Sequence, residues 1–331
     1  MKKIIDLNTE HLPSGCLAGN LNIDMIIRNV PNLPLWGQEV LGNNYSIVSS
    51  GQTAYTAFAL RKFNISIKII GNVGNDIYGE KIINDLANSG ANIDEVEIVE
   101  DGKTGITVAI VRNDGERAFV SDPSSLVAFN GSLLTRHHEC IKESDFFFLM
   151  GIFFLPGLEL SDAQYTLAQA QAMGKITFLD TGWDPQGWQD KTIYNLRKSL
   201  QHVDYFIPNL DEAHAITSEK DPEKAASALL NDGAKSVIIK MGVQGSLAKT
   251  NEVTIYTPAH SVKVIDAVGA GDVFNAGFVF SRMQNWPLDL CLAFGTATSA
   301  LYISKTKDRF PSLQNVVELV EKSTSIQFNF K

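Results

Sequence analysis

Cysteine is scarce in this chain, with three in 331 residues. Cys16, Cys140 and Cys291 are too few and too scattered for a disulfide framework or a C-x-x-C metal site. No stretch approaches the eighteen or so uninterrupted apolar residues of a membrane span, although 44% of residues are apolar. The opening MKKIIDLNTEHLPSGC meets acids and a proline before a secretory apolar stretch forms, so a cytoplasmic location is expected. Basic residues are outnumbered, 28 against 37 acidic, and the net charge of −9 repels a nucleic-acid backbone. A small phosphorylated ligand stays admissible, because backbone amides bind phosphate without net charge. Also missing are internal repeats, low-complexity tracts and Pro/Ser-rich linkers, which favours one domain over residues 1–331.

What the chain does contain is a rhythm. From about residue 145, β-rich apolar runs recur roughly every thirty residues, the length of a βαβ unit. They are FFFLMG near 148, ITFLD near 178, YFIPN near 206, SVIIKMG near 238 and VKVID near 264. Helical patterns over 161–173 and 222–230 lie between them, which predicts an α/β fold with a mostly parallel sheet covered on both faces. The segment 249–259 breaks the rhythm as an extra hairpin strand. The first half has a strand near 17–23 and helices over 53–63 and 77–89 around SIKIIGNVG. Residues 25–49 carry prolines and short β-like runs, and GITVAIVRNDGERAFV alternates on both sides of Asn113-Asp114-Gly115, a hairpin signal. Segments of about 25–49 and 98–121 are therefore expected to form a small antiparallel lid inserted in the large core. Left alone, such a sheet exposes an apolar face, so it suits covering a site or pairing with a second copy.

The stretch VIDAVGAGDVFNAGF, residues 264–278, reads as a strand running into three small residues and then a helix. Ligands of open parallel sheets bind beyond the carboxyl ends of the strands, at helix amino termini. Gly269, Ala270 and Gly271 permit close backbone approach, while free amides and the helix dipole favour an anion. Asp272, beside that anion, needs a different task. Taking the proton of an alcohol that attacks phosphorus is one; capping the helix is the plain alternative.

At these residues the sequence resembles the PfkB, or ribokinase-like, carbohydrate kinases, whose D-[TS]-x-G-A-G-D signature DAVGAGD follows at every fixed position but the second. GNLNIDMI is similar to the family's first strand, SSGQTAYTAFALRKFN to its G-G-x-x-x-N-x-A segment, and GNVGNDIYGEKIINDLANSGANID to its G-x-V-G-x-D-x-x-G pattern. TGITVAIVRNDGERAF resembles the lid hairpin, PNLDEA the N-x-x-E motif and KMGVQGSLA the nucleotide loop, so the likeness runs from residue 17 to about 305. It implies a three-layer α/β/α sandwich with a β lid and a sugar kinase using ATP and Mg²⁺. Asp272 would be the base and Gly269, Ala270 and Gly271 the anion hole. Asn22 and Asp24 would grip substrate hydroxyls beside Gly51, Gln52 and Tyr55. Asn209 and Glu212 would organise Mg²⁺ and phosphates, with Lys240, Gly242 and Gly245 along the nucleotide. The loop from Asp266 to Val268 matches the place where relatives hold a monovalent cation, here K⁺, and a homodimer through the lids is implied as well.

Three departures touch the acceptor. Ser50 replaces the first glycine of the usual pair, Tyr55 stands where many members have Asn, and Asp184 in DTGWDPQGW occupies an Arg position. Losing that arginine disfavours an already phosphorylated sugar. Ala267 replaces the usual Thr after Asp266, a milder change. The expected reaction is transfer to a hydroxymethyl group of an unphosphorylated sugar or sugar-like molecule. A nucleoside kinase is the alternative, with Tyr55, Trp36 and Phe119 as ring-stacking surface, and a non-catalytic sugar sensor on a kinase fold is a third reading. GNDIYGEK lacks the Lys-Ser/Thr of a P-loop, Phe274 spoils a G-x-G-x-x-G, and RHHEC, residues 136–140, reads as solvated surface.

Overall fold

The computed structural model describes every residue except Met1, His11 and Gly115. Among the described residues, nine strands form the large sheet. Seven are parallel, and at one edge the antiparallel pair Ser246–Lys249 and Thr254–Thr257 continues from strand Ser236–Lys240. That pair is the expected extra hairpin.

The middle strand Phe146–Met150 shows why the sheet is covered on both faces. Its side chains alternate with period two. Phe146, Phe148 and Met150 enter one apolar cluster with Phe63, Phe278 and Phe294, whereas Phe147 and Leu149 enter another with Leu133, Leu167 and Leu229. Helices Gln52–Lys62, Ala270–Met283 and Leu288–Ile303 cover the first face, and Leu160–Ala172, Asp190–Ser199 and Pro222–Asn231 cover the second. This is the three-layer arrangement expected.

A four-stranded sheet forms the lid. Asn22–Val30 pairs antiparallel with Tyr45–Ser50, and Ile106–Arg112 pairs antiparallel with Arg117–Asp122; the two pairs meet along a parallel seam between Asn22–Val30 and Ile106–Arg112. The turn residue Gly115 lies outside the described residues, but Arg112 N donates to Glu116 O at 2.8 Å beside it.

The structure departs from the sequence reading in three places. The strand read near 17–23 is two strands. Ser14–Gly19 belongs to the large sheet and Asn22–Val30 to the lid, with only Asn20 and Leu21 between them. Secondly, VKVID is not a strand. The large sheet ends at Thr254–Thr257, and the amides of Ile265 and Asp266 instead donate to Ile303 O at 2.8 and 3.3 Å. Lastly, Val96–Val99, partly inside the stretch expected in the lid, pairs with the edge of the large sheet, and Lys3–Leu7 pairs with Ile326–Phe330 in a separate parallel ribbon. No helix among the described residues is long and apolar enough to cross a membrane.

Candidate active site

The parallel strands end along one edge, and their carboxyl ends deliver the polar groups. Gly19 ends Ser14–Gly19 and Asn20 follows it, Gly151 follows Phe146–Met150, Asp180 ends Ile176–Asp180, Asn209 follows Tyr205–Phe206, and Lys240 ends Ser236–Lys240. Above them lies a cleft of about 390 Å³ bounded by Gln52, Glu212, Lys240, the segment Gly269–Asp272, the loop of Gly242 and Gly245, and Phe119 of the lid. Residues far apart in the chain, singled out as phosphoryl and nucleotide contacts, therefore share one surface.

Helix Ala270–Met283 begins at Gly269, whose φ of 80° lies in the left-handed region. A side chain there is strained and would also press on Tyr55 and the Tyr302 hydroxyl at 3.0 Å. No side chain caps this helix, so the capping role considered for Asp272 is not realised. Ala270 N is engaged locally, donating to Ala267 O at 3.2 Å. The amides of Gly271 and Asp272 lie in the first turn, ahead of any i−4 helical carbonyl, where the dipole is positive.

Asp272 opens on the cleft but is otherwise surrounded by protein. That burial pushes its carboxyl up to about 7, assisted by the nearby Asp180 and opposed by Lys240 and a hydrogen bond from Gln52. Lys240 ion-pairs with the fully buried Asp180 and donates to Asn275 Oδ1 at 3.3 Å, while Asn275 Nδ2 donates to Asp180 Oδ2 at 2.6 Å. Burial works against the Lys240 charge, but Asp180, Glu212 and Asp272 together raise its pKa. Glu212 is also raised, by burial first and Asp180 second. It closes a capping box: Asn209 N and Nδ2 donate to its two oxygens at 2.8 and 2.7 Å, and Glu212 N donates to Asn209 Oδ1 at 2.9 Å.

Three carboxylates, Asp180, Glu212 and Asp272, thus converge around the single ammonium of Lys240. Ionised, the group is negative overall, and it suits a hard divalent cation brought in with phosphates. The resemblance expects Asn209 and Glu212 to organise Mg²⁺ through its water shell; both Glu212 oxygens already accept from Asn209.

The residues expected at the acceptor form a second network, of which Gln52 lines the cleft and Asn22, Asp24, Gly51 and Tyr55 do not. Asn22 and Asp24 point inward from one face of their strand. Asn22 Nδ2 donates to Ser50 Oγ at 2.9 Å and to Asp24 Oδ1 at 3.2 Å, and Asn20 Nδ2 donates to Asn22 Oδ1 at 2.9 Å. Two of the departures noted in the sequence both hold Asp24. Ser50 Oγ donates to its Oδ1 at 2.8 Å and Tyr55 Oη to its Oδ2 at 3.0 Å. Burial raises the Asp24 carboxyl to about 6 against these hydrogen bonds. Gly51 permits this crowding: its φ is 98°, and a Cβ would sit 2.3 Å from Asn20 O. Gln52 Oε1 and Thr181 Oγ1 are buried in the structure without a partner.

Some expectations resolve differently. Tyr55 is buried in the core as well as bonded to Asp24, Trp36 is fully exposed, and of the three aromatic candidates Phe119 bounds the cleft. Asp184 accepts from Gln186 N and Trp188 N at 2.8 and 2.9 Å, fixing a turn at the position where the resemblance led one to expect arginine. Arg136 and His137 pair with Glu97, and His138 with Glu139, as a surface cluster should. Among the described residues no group of three or more His, Cys, Asp or Glu is arranged to hold a metal ion by itself. The carbonyls of Asp266 and Val268 are already hydrogen-bonded by Arg309, a residue the sequence reading passed over. Asp180 and Asn275 were missed too.

A family model, the pfkB family carbohydrate kinases, matches residues 16–315. The chain belongs to that family. It is accordingly a sugar kinase. Ribokinase of Haemophilus influenzae is 25% identical over 312 residues, covering 92% of this chain and 97% of the relative. 5-Dehydro-2-deoxygluconokinase of Geobacillus thermodenitrificans is 25% identical over 286 residues, covering 82% and 83%. In fold, Arabidopsis thaliana ribokinase, solved with ribose and ATP, superposes with a TM-score of 0.77 at 21% identity, covering 94% of this chain and 99% of that one. The pfkB-family fold is thus shared well beyond sequence likeness.

Proposed function

We propose that this pfkB-family kinase transfers the γ-phosphoryl group of ATP to a hydroxymethyl group of an unphosphorylated sugar or sugar-like molecule, with Asp272 as general base. One observation carries the reading: a carboxyl held near pKa 7 sits in the uncapped first turn of a helix, between the Lys240 cluster and the half-buried Gln52.

The acceptor hydroxyl loses its proton to Asp272 as its oxygen bonds to phosphorus, and the bond to the β–γ bridging oxygen breaks to release ADP. A base with pKa near the working pH combines a useful ionised fraction with real proton affinity. The first-turn amides and Lys240 offset charge on the phosphoryl oxygens. When bound with the nucleotide at Asn209 and Glu212, Mg²⁺ supplies further neutralisation of phosphate charge. Gly242 and Gly245 line the nucleotide's path. Asn22, Asp24 and Gln52 orient the acceptor; Gln52 Oε1, buried and unpartnered, suits a sugar hydroxyl donor. The absence of arginine at position 184 supports an acceptor without phosphate. Lid closure over the cleft excludes water as a competing acceptor.

Phe119 at the cleft favours a second reading, a nucleoside acceptor phosphorylated on its ribose 5′-hydroxyl. A coupled ADP assay across ribose, fructose, adenosine and inosine separates the two, and silence across a broad panel would leave a sugar sensor. On the lid's outer face Ile27, Tyr45 and Ile47 are exposed around an apolar groove, which supports a homodimer through the lids; light scattering tests it.

A further inference from the structure

The two carbonyls that the family resemblance assigned to K⁺ are covered by the protein's own donors. Arg309 Nη2 donates to Asp266 O at 2.7 Å and to Val268 O at 3.3 Å, and its Nη1 donates to Asp266 Oδ2 at 3.0 Å. Val268 O also accepts the Tyr302 hydroxyl at 3.0 Å, so both its lone pairs are used. The Asp266 carboxylate is likewise engaged, Oδ1 by Val268 N at 2.9 Å and Oδ2 by Arg28 Nη2 at 2.5 Å as well as Arg309. Beneath the guanidinium lies the Tyr302 ring, its centroid 4.0 Å from Cζ. A monovalent ion shed of water needs several carbonyl oxygens to replace its hydration shell. Here those oxygens face N–H and O–H groups.

Charge gives the same answer. Arg28 alone neutralises Asp266, and both side chains are largely buried. Arg309, 15% exposed, brings one further positive charge to this point, which is what a bound monovalent cation would bring. Val268 immediately precedes Gly269, so a donor that fixes its carbonyl also fixes the left-handed turn from which the first-turn amides project.

We infer that the guanidinium of Arg309 takes the place of the monovalent cation, making it a positioning residue for the anion-hole loop and freeing this enzyme from K⁺. The importance of that loop rests on the proposed function; the occupancy of the carbonyls does not.

The deciding measurement is anomalous scattering from Tl⁺, a K⁺ substitute, in crystals of the wild type and Arg309→Ala. The wild type should show no peak within 4 Å of Asp266 O and Val268 O, and Arg309→Ala should show one; a peak there in the wild type overturns the inference. In solution, exchanging choline chloride for KCl at equal ionic strength should leave the wild-type Tm unchanged. Arg309→Ala should be raised by several degrees in KCl, whereas Arg309→Lys, which keeps a tethered cation, should stay indifferent. Selective stabilisation of the wild type by K⁺, or a folded Arg309→Ala indifferent to it, refutes the assignment, since a merely structural arginine predicts no cation-specific response. Should Arg309→Ala not fold, the wild type and Arg309→Lys decide. With a working acceptor, ADP formation should be insensitive to K⁺ in the wild type and activated about tenfold or more in Arg309→Ala. If no acceptor is turned over, the proposed function fails while the Tl⁺ and thermal results still judge Arg309.

Discussion

The two polar networks, one lining the cleft around Lys240 and one buried around Asp24, differ in how closely they keep to the pattern the resemblance expects. Gly269–Asp272, Asn209, Glu212 and Lys240, to which the proposed function gives the phosphate, stand where the resemblance expects them; Asp180 joins Lys240 to Asn275, and Asn209 bonds Glu212. Around Asp24 the pattern gives way: Ser50 and Tyr55 replace the usual residues and both bond the same carboxylate. Phosphoryl chemistry tolerates few arrangements, because charge and alignment must be met together. A pocket that binds an acceptor only has to match one molecule's hydroxyls, which leaves its residues freer to differ.

If that contrast holds, damage on the phosphate side should abolish turnover and damage on the acceptor side should alter recognition. The largest effect is expected from Asp272→Asn, which should lower kcat by about a thousandfold while ATP still binds, as read by isothermal titration. Turnover near wild type would remove Asp272 from its role. Lys240→Met should lower kcat/KM for ATP by about a hundredfold and also destabilise the fold by about 3 kcal/mol in urea titrations, since Asp180 is left buried and unpaired. A pure stability loss with normal kinetics would make the lysine structural.

Because the base must be ionised, kcat/KM should rise with pH along a limb with an apparent pKa near 7. Activity at pH 5 should be about a hundredfold below that at pH 8, and the limb should vanish from the residual activity of Asp272→Asn. Stability has the opposite sign. A carboxyl raised on folding contributes fully below its unfolded pKa, and that contribution is lost as pH climbs through about 7. Asp272→Asn should therefore gain on the wild type between pH 5 and pH 8 by about 2 kcal/mol in denaturant titrations. The smallest effect sharpens the acceptor side. Tyr55→Phe removes one hydrogen bond to Asp24 and should raise the acceptor KM about five- to tenfold, leaving kcat and the ATP KM close to wild type.

Local chemistry was legible where it follows from a short stretch. Small residues ahead of Asp272 announced a close backbone approach, and alternate placement of Asn22 and Asp24 announced one strand face. Partners across the sheet were not. Asp180 meets Lys240 and Asn275 only because the parallel strands line up their carboxyl ends, and strand order is not written in any local pattern. Val264, Ile265 and their neighbours look like a strand because they are β-branched, yet past the last edge strand they run free of the sheet and lean on Ile303. Arg309 lies 43 positions from Asp266, with nothing around it to mark its destination.

Only Asn20 and Leu21 separate the large sheet from the lid strand that carries Asn22 and Asp24. Under the proposed function the covering flap and the grip on the sugar are consequently one mechanical part: a swing that lifted the flap would also draw the grip away from Asp272, leaving an unladen enzyme ill-assembled for squandering its nucleotide on water.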